Sequence, residues 1–265
     1  MRIFSLYLLQ LLGAATVYSF HFSGFSSTTL LRATTTVMTS PSSPSSETLP
    51  STGNLVVSLR QAFTSNRVAL ILASQSPRRR EILDMMGLPG MYETIPSPLD
   101  ETALQIELTN KGITKDPKNY TKTLAEEKAR ALAETLENVK CPTLVLGSDT
   151  IVDQDETILE KPKDKQDAAR MLRQLSGREH YVHTGVSLYL CRPGEAAEKM
   201  VSFVDQATVQ FTDLSDTDIE AYVDSGEPMD KAGSYGIQGI GGQLVANVQG
   251  DFFTVSCKFA EGGFL

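Results

Sequence analysis

The densest cluster of potential binding chemistry in the sequence is Ser74-Gln75-Ser76-Pro77-Arg78-Arg79-Arg80. Pro77 suits the first position of a helix, so Ser76 is predicted as its N-cap and Arg78 and Arg79 fall in its first turn. A cation there faces the positive end of the helix dipole, which costs ~0.3–1 kcal/mol each. An anion would offset that cost. Free backbone N–H groups, the Ser74 and Ser76 hydroxyls and two guanidinium forks together describe a phosphate cradle. The alternative for the same residues is a solvated basic turn. Asp149 directly follows the apolar run Thr143–Leu146 and Gly147-Ser148. A carboxylate placed there must be solvated, paired or metal-bound. Asp100 and Glu101 form a second acidic site in a Pro-containing loop. Carboxylates that converge near a polyphosphate cradle are what a Mg²⁺ site requires. Lys128 and Lys161, taken singly, read as ordinary surface charges.

Lys231–Gly242, KAGSYGIQGIGG, carries five glycines around Tyr235 and Gln238. Backbone could approach a ligand closely there, and the Gln238 amide can both donate and accept. The segment is read either as a base-reading loop or as a glycine-rich hairpin. No apolar strand runs into its glycines and no helix follows, which excludes a dinucleotide-binding fingerprint.

The elements that must position these groups alternate. VALILA at Val68–Ala73 reads as a strand buried on both faces, followed by the helix from Pro77. TLAEEKARALAETLE, 123–137, has helical periodicity, with Leu124, Leu132 and Leu136 alongside Ala125, Ala129 and Ala133. A strand over 143–146 is predicted to end in a Gly147–Thr150 loop, which would place Asp149 where α/β sheets favour ligands. A helix over 165–176, strands over 181–190 and 200–211, and a helix begun by Ser215 and Asp218 complete an α/β pattern without internal repeats.

The 265 residues include 24 Lys and Arg against 32 Asp and Glu, a formal net charge of −8. That balance argues against a polymeric nucleic-acid partner and for a small polyanion held by local basic groups. Cys141, Cys191 and Cys257 lack metal-ligand spacing and are read as reduced thiols. His180 and His183 lie in a predicted strand, where residues i and i+3 face opposite sides, so they are not read as a metal pair. Residues 1–53 read as a presequence. Ile3–Leu12 is apolar but short for a membrane span, and the following stretch is rich in Ser and Thr. This two-part form suits import into a plastid bounded by extra membranes; a plain secretory signal or a misassigned gene start are the alternatives. Residues 54–265 then form the folded domain, with no stable membrane span expected in the mature protein.

Six segments in order carry a family resemblance: LILASQSPRRREIL at Leu70–Leu83, LAEEKARA at Leu124–Ala131, GSDTIV at Gly147–Val152, LEKP at Leu159–Pro162, then MLRQLSGREHYVHTGV and EPMDKAGSYGIQGIGG. From Val68 to Val255 the chain resembles the Maf family of nucleoside-triphosphate pyrophosphatases. The resemblance implies an elongated mixed sheet with helices on both sides, forming two lobes around a cleft, similar to the inosine-triphosphate pyrophosphatase fold. It also implies a homodimer. Ser74, Arg78, Arg79, Lys128 and Lys161 would hold the triphosphate, Glu101 and Asp149 the divalent metal (Mg²⁺ or Mn²⁺) and the attacking water, and Gln238 would belong to the nucleotide site. SPRR with YGIQG resembles the branch acting on dTTP, UTP and modified pyrimidine nucleotides. A nucleotide-binding regulator of cell division with little turnover is the competing reading. One departure is the ending AEGGFL after GDFFTVSCKF, where relatives continue through a GLP-like turn into a helix.

Overall fold

The computed structural model describes residues 68–256 together with Gln61, Phe63 and Thr64. The expected presequence, Cys257 and the AEGGFL ending lie outside the described residues. Strands β1 (Ala69–Leu72), β2 (Glu93–Thr94), β3 (Thr143–Gln154), β4 (Thr157–Leu159), β5 (Glu179–Cys191), β6 (Glu198–Phe211) and β7 (Val245–Gln249) form one seven-stranded sheet in the order β2-β1-β3-β5-β6-β7, with β4 paired to β3. β1 is parallel to both β2 and β3, whereas β3, β5, β6 and β7 are joined antiparallel. The helices are α1 (Pro77–Met85), α2 (Glu101–Asn110), α3 (Pro117–Ala133), α4 (Lys165–Leu175), α5 (Asp216–Asp224) and the short α6 (Phe252–Ser256). The architecture is the expected mixed α/β sheet flanked by helices.

The long strands pass from one core region into another. The first half of β3 contributes Leu144 and Leu146 to a cluster with Leu70, Leu72, Ile82 and Leu83. Its far end contributes Val152 to a second cluster with Leu172, Leu175, Val182, Phe211, Tyr222 and Tyr235. α3 lies across the middle of the sheet, and the reason is legible in two glycines. A Cβ on Gly147 would stand 2.5 Å from the Ala125 carbonyl oxygen, and one on Gly185 would stand 2.5 Å from that of Thr121. Helix backbone therefore rests almost directly on strand backbone, with Ala125 and Ala129 as the small residues between.

Several sequence expectations are corrected. β3 does not stop at Leu146; its register with β5 runs unbroken from Thr143 to Asp153, so Asp149 is a mid-strand residue rather than a loop residue. Gly147 interrupts the apolar run for the sake of helix contact, not to end the strand. Asp100 and Glu101 are not in a loop but start α2. The Asp100 carboxylate accepts a hydrogen bond from the Ala103 N–H (2.9 Å), and Glu101 occupies the first turn, where the helix dipole favours an acid. α3 begins earlier than its periodicity suggested, because Asp116 caps it and Pro117 opens it. Ser76 holds the N-cap position of α1, but its hydroxyl makes no capping bond. The glycine-rich segment is neither hairpin nor open loop; it winds through short 3₁₀ turns at Ala232–Ser234 and Ile240–Leu244. Ser215 and Asp218 form the expected capping box.

Candidate functional site

A polar cavity of about 570 Å³ opens beside the carboxyl end of β1. Its wall takes Ser74, Ser76 and Arg79 from the β1–α1 turn, Glu101 from α2, Lys128 from α3, Asp149 and Thr150 from β3, Glu160 and Lys161 from the loop after β4, and Asp230 and Ala232 from the start of the glycine-rich region.

At its centre the Lys128 ammonium, 7% exposed, lies 2.6 Å from Asp149 Oδ1 and 2.8 Å from Glu101 Oε2. Asp149 is nearly as enclosed, whereas Glu101 is half exposed at the mouth. A buried ammonium without partners would be strongly unfavourable, so the two carboxylates are what permits Lys128 to stand there. Its backbone is tied in as well: the Lys128 carbonyl accepts from Ser97 Oγ (2.9 Å), and Ser97 Oγ accepts in turn from the Leu99 N–H (3.3 Å). The approach to Glu101 is thereby fastened to the helix carrying Lys128.

On the opposite wall, Ser74 Oγ accepts from Arg79 Nη1 (3.0 Å) and from the Ser76 N–H (3.1 Å). The guanidinium is held against the turn whose N–H groups start α1. This is the geometry an anion cradle needs. Arg79 lines the cavity and Arg78 does not; Arg78 pairs instead with Glu81 across one turn (3.6 Å). Lys161 lines the rim. Gln238 sits half-buried in a turn and does not line the cavity. Of the eight residues singled out from sequence, the structure therefore brings together Ser74, Arg79, Glu101, Lys128, Asp149 and Lys161, and leaves Arg78 and Gln238 outside.

Sequence reasoning missed Glu160 and Tyr120. Tyr120 Oη donates to Glu160 Oε1 (2.9 Å). Burial, reinforced by the negative charge of Asp149, pushes the Glu160 carboxyl up to about 7. Glu160 carried the same signal as Asp149, an acid directly after apolar strand residues; Tyr120 carried none. The two histidines have separate partners: His180 Nε2 meets Tyr235 Oη at 2.6 Å, and His183 Nε2 meets Asp153 Oδ2 at 3.4 Å. Among the described residues, no three His, Cys, Asp or Glu side chains cluster as a metal site.

The glycine-rich segment is clamped by one acid. Glu227 accepts from Tyr222 Oη (3.0 Å) and from the Ile240 and Gly241 N–H groups (2.8 and 3.1 Å). A side chain at Gly239 would collide with that carboxylate, at 2.4 Å. Lys231 is buried beneath, donating to Asp230 Oδ1 (2.7 Å) and to the Glu227 carbonyl. Burial holds its ammonium below the usual lysine range.

Comparison with known proteins places the chain in a family. Residues 69–256 match the family described as Maf-like protein. The chain is 44% identical over 190 residues to a human protein named "Probable bifunctional dTTP/UTP pyrophosphatase/methyltransferase protein", a match covering 70% of this chain and 29% of that one. It is 43% identical over 185 residues to a dTTP/UTP pyrophosphatase of Bacillus cytotoxicus, covering 70% of this chain and 86% of that protein. The chain thus spans less than a third of the human relative and most of the bacterial one. Among solved structures, the Staphylococcus aureus Ham1 protein is similar over 55% of this chain and 72% of its own, at 15% identity and a TM-score of 0.30. With a family match extending from β1 to the last residue of α6, and relatives above 40% identity, the chain belongs to the Maf-like protein family.

Proposed function

We propose that the protein hydrolyses dTTP, UTP and related pyrimidine nucleoside triphosphates between the α and β phosphates, clearing them from the nucleotide pool. One observation carries the reading: a buried ammonium, Lys128, bridges the carboxylates of Asp149 and Glu101 in a cavity that also presents Arg79 and Lys161. Cations to hold a polyphosphate and carboxylates to handle a metal and a water thus share one space. The names of the relatives above supply the pyrimidine preference.

The donor set fits a hard divalent cation. Glu101 and Asp149 converge from two elements on one point, and Mg²⁺ is ordinarily held by one or two carboxylates plus substrate phosphates. When bound, such an ion, Mg²⁺ or Mn²⁺, neutralises phosphate oxygens and makes a coordinated water more acidic. Arg79, with Ser74, and Lys161 hold the triphosphate from opposite walls. Lys128 keeps the two carboxylates at their stations. Water oxygen bonds to the α-phosphorus, the bond from the α-phosphorus to the α–β bridging oxygen breaks, and that electron pair leaves with pyrophosphate. Asp149 takes the proton of the attacking water. The fixed cations stabilise the charge gathering on the leaving group, the main source of acceleration in such reactions.

The base is assigned to the side where Asp230 and Ala232 lead into the segment bearing Gln238. A homodimer and organellar import through residues 1–53 belong to the same reading. Among the described residues, no helix is long and apolar enough to cross a membrane.

Purified protein incubated with dTTP, UTP, CTP, ATP and GTP and Mg²⁺ or Mn²⁺, with products separated chromatographically, tests this. Monophosphate with pyrophosphate from dTTP and UTP is expected. Diphosphate with orthophosphate, stoichiometric binding without turnover, or equal turnover of all five nucleotides would overturn it.

A further inference from the structure

Lys161 stands on a part of the cavity rim whose backbone is fastened on both sides. On its amino side, Glu160 is pinned twice: its carbonyl accepts from the Gly233 N–H (3.2 Å) and its carboxylate from Tyr120 Oη (2.9 Å). Gly233 can approach only because it lacks a side chain; its φ is +67° and a Cβ would stand 2.6 Å from Val152 Cγ2. On the other side, Pro162 fixes its own φ, and the Lys163 N–H donates to Asp167 Oδ2 (3.1 Å). The backbone that presents Lys161 is therefore held at four points from three elements.

Only one of those ties engages an acid that lines the cavity. Glu160 is adjacent to Lys161, lines the same cavity, and its carboxylate feels the Lys161 charge, which makes it a competitor for that ammonium. The tyrosine hydroxyl comes from the helix that also carries Lys128, eight residues and so about two turns further along the same face. Two cross-ties thus join α3 to the opposing wall, Lys128 to Asp149 and Tyr120 to Glu160.

Resting on the reading of this cavity as a triphosphate site, we propose that Tyr120 is a positioning residue for Lys161: its hydroxyl holds the Glu160 carboxylate against α3, so that the carboxylate neither captures the Lys161 ammonium nor repels an incoming triphosphate. Tyr120 touches no reacting atom. Its role is to withdraw an acid from the binding surface.

A double-mutant cycle decides the matter, because a merely structural tie and a charge-withdrawing tie predict opposite results for the double variant. Tyr120→Phe should raise KM for the nucleotide about tenfold with a smaller fall in kcat, since Lys161 holds the triphosphate in the ground state and in the transition state alike. Glu160→Gln keeps an acceptor for Tyr120 and loses the competing charge, so it should bind at least as well as the unmutated protein. Tyr120→Phe combined with Glu160→Gln should recover near-normal KM. Calorimetric binding of inorganic triphosphate to the same four proteins provides a readout independent of turnover. A double variant no better than Tyr120→Phe, an unchanged KM in Tyr120→Phe, or a collapse of kcat in Glu160→Gln would overturn the proposal. Failure of the unmutated protein to bind inorganic triphosphate would instead overturn the triphosphate reading on which it rests.

Discussion

Ser148 and Asp149 are neighbours on β3, and because strand side chains alternate they face different cavities. Asp149 looks into the polar cavity of about 570 Å³ and is bonded by Lys128. Ser148 looks into a smaller one of about 90 Å³, walled by Leu72, Ile82, Leu83, Met86, Leu146 and Phe203. Its hydroxyl has no hydrogen-bond partner. One strand therefore borders two environments of opposite character, and the difference comes from the helices that cover it. α1 and its C-cap turn Ile82, Leu83 and Met86 towards the sheet, whereas α3 meets it with alanines, Leu124 and Leu132 and places the buried Lys128 among them, opposite Asp149. Arg79 lines both cavities, at the point where one gives way to the other. The same strand can be core on one side and chemistry on the other because each side chain's fate is set by what packs over it.

The largest effect expected to break this contrast is Asp149→Asn. The change preserves size and removes the charge that accepts the water proton, so kcat should fall by about 10²–10⁴-fold, the usual worth of a positioned acid or base. Circular dichroism should show the fold retained. Near-normal pyrophosphate release would end Asp149's assigned role.

Gly147→Ala strikes the two sides together. A methyl group 2.5 Å from the Ala125 oxygen must push α3 outward, for a stability loss of about 1–3 kcal/mol as in overpacked cores. Activity per folded molecule should fall with it, since Lys128 rides on that helix. Denaturant midpoints and kcat measured on one preparation check the linkage, and loss of stability with full activity would show that α3 height does not govern the site.

A smaller, pH-dependent effect concerns Glu160. Its pKa is about 7 in the folded chain against an ordinary value of 4.5, so the folded state holds this proton more tightly than the unfolded state. The resulting stability is fully present below about pH 4.5 and is lost as pH rises through about 7. Glu160→Gln abolishes the titration. The variant should therefore gain stability relative to the unmutated chain between about pH 5 and pH 8, with no such trend in more acid solution. A difference in melting temperature that stays constant across that range would contradict this.

The smallest effect should come from Ser148→Ala. Deleting a hydroxyl that is buried and unpaired removes a desolvation cost, so stability should change by less than about 1 kcal/mol, in the favourable direction, with KM and kcat unaltered. A loss larger than that would mean the hydroxyl has a partner in solution, and the contrast with Asp149 would be weaker than the structure draws it.

Much of this protein was determined by the sequence acting locally. VALILA became a buried strand, Pro77 opened α1, Ser215 and Asp218 formed their reciprocal cap, and the two arginines stood at a helix start. Propensity, capping and pleat alternation act over a few residues, so they can be read from a few residues. The limits of β3 escaped that reading because a mid-strand glycine looks like a strand end until the helix that needs it is in place. The start of α2 escaped because an Asp after Ser-Pro-Leu reads as a loop unless its cap is seen. Only the tertiary structure decided that Glu101, Lys128 and Asp149 would meet, that Arg79 rather than Arg78 would face the cavity, that Gln238 would stand outside it, and that Tyr120 would reach Glu160, 40 residues away. Such convergence depends on how closely α3 settles on Gly147 and Gly185, and that separation is a product of packing that no spacing along the chain encodes.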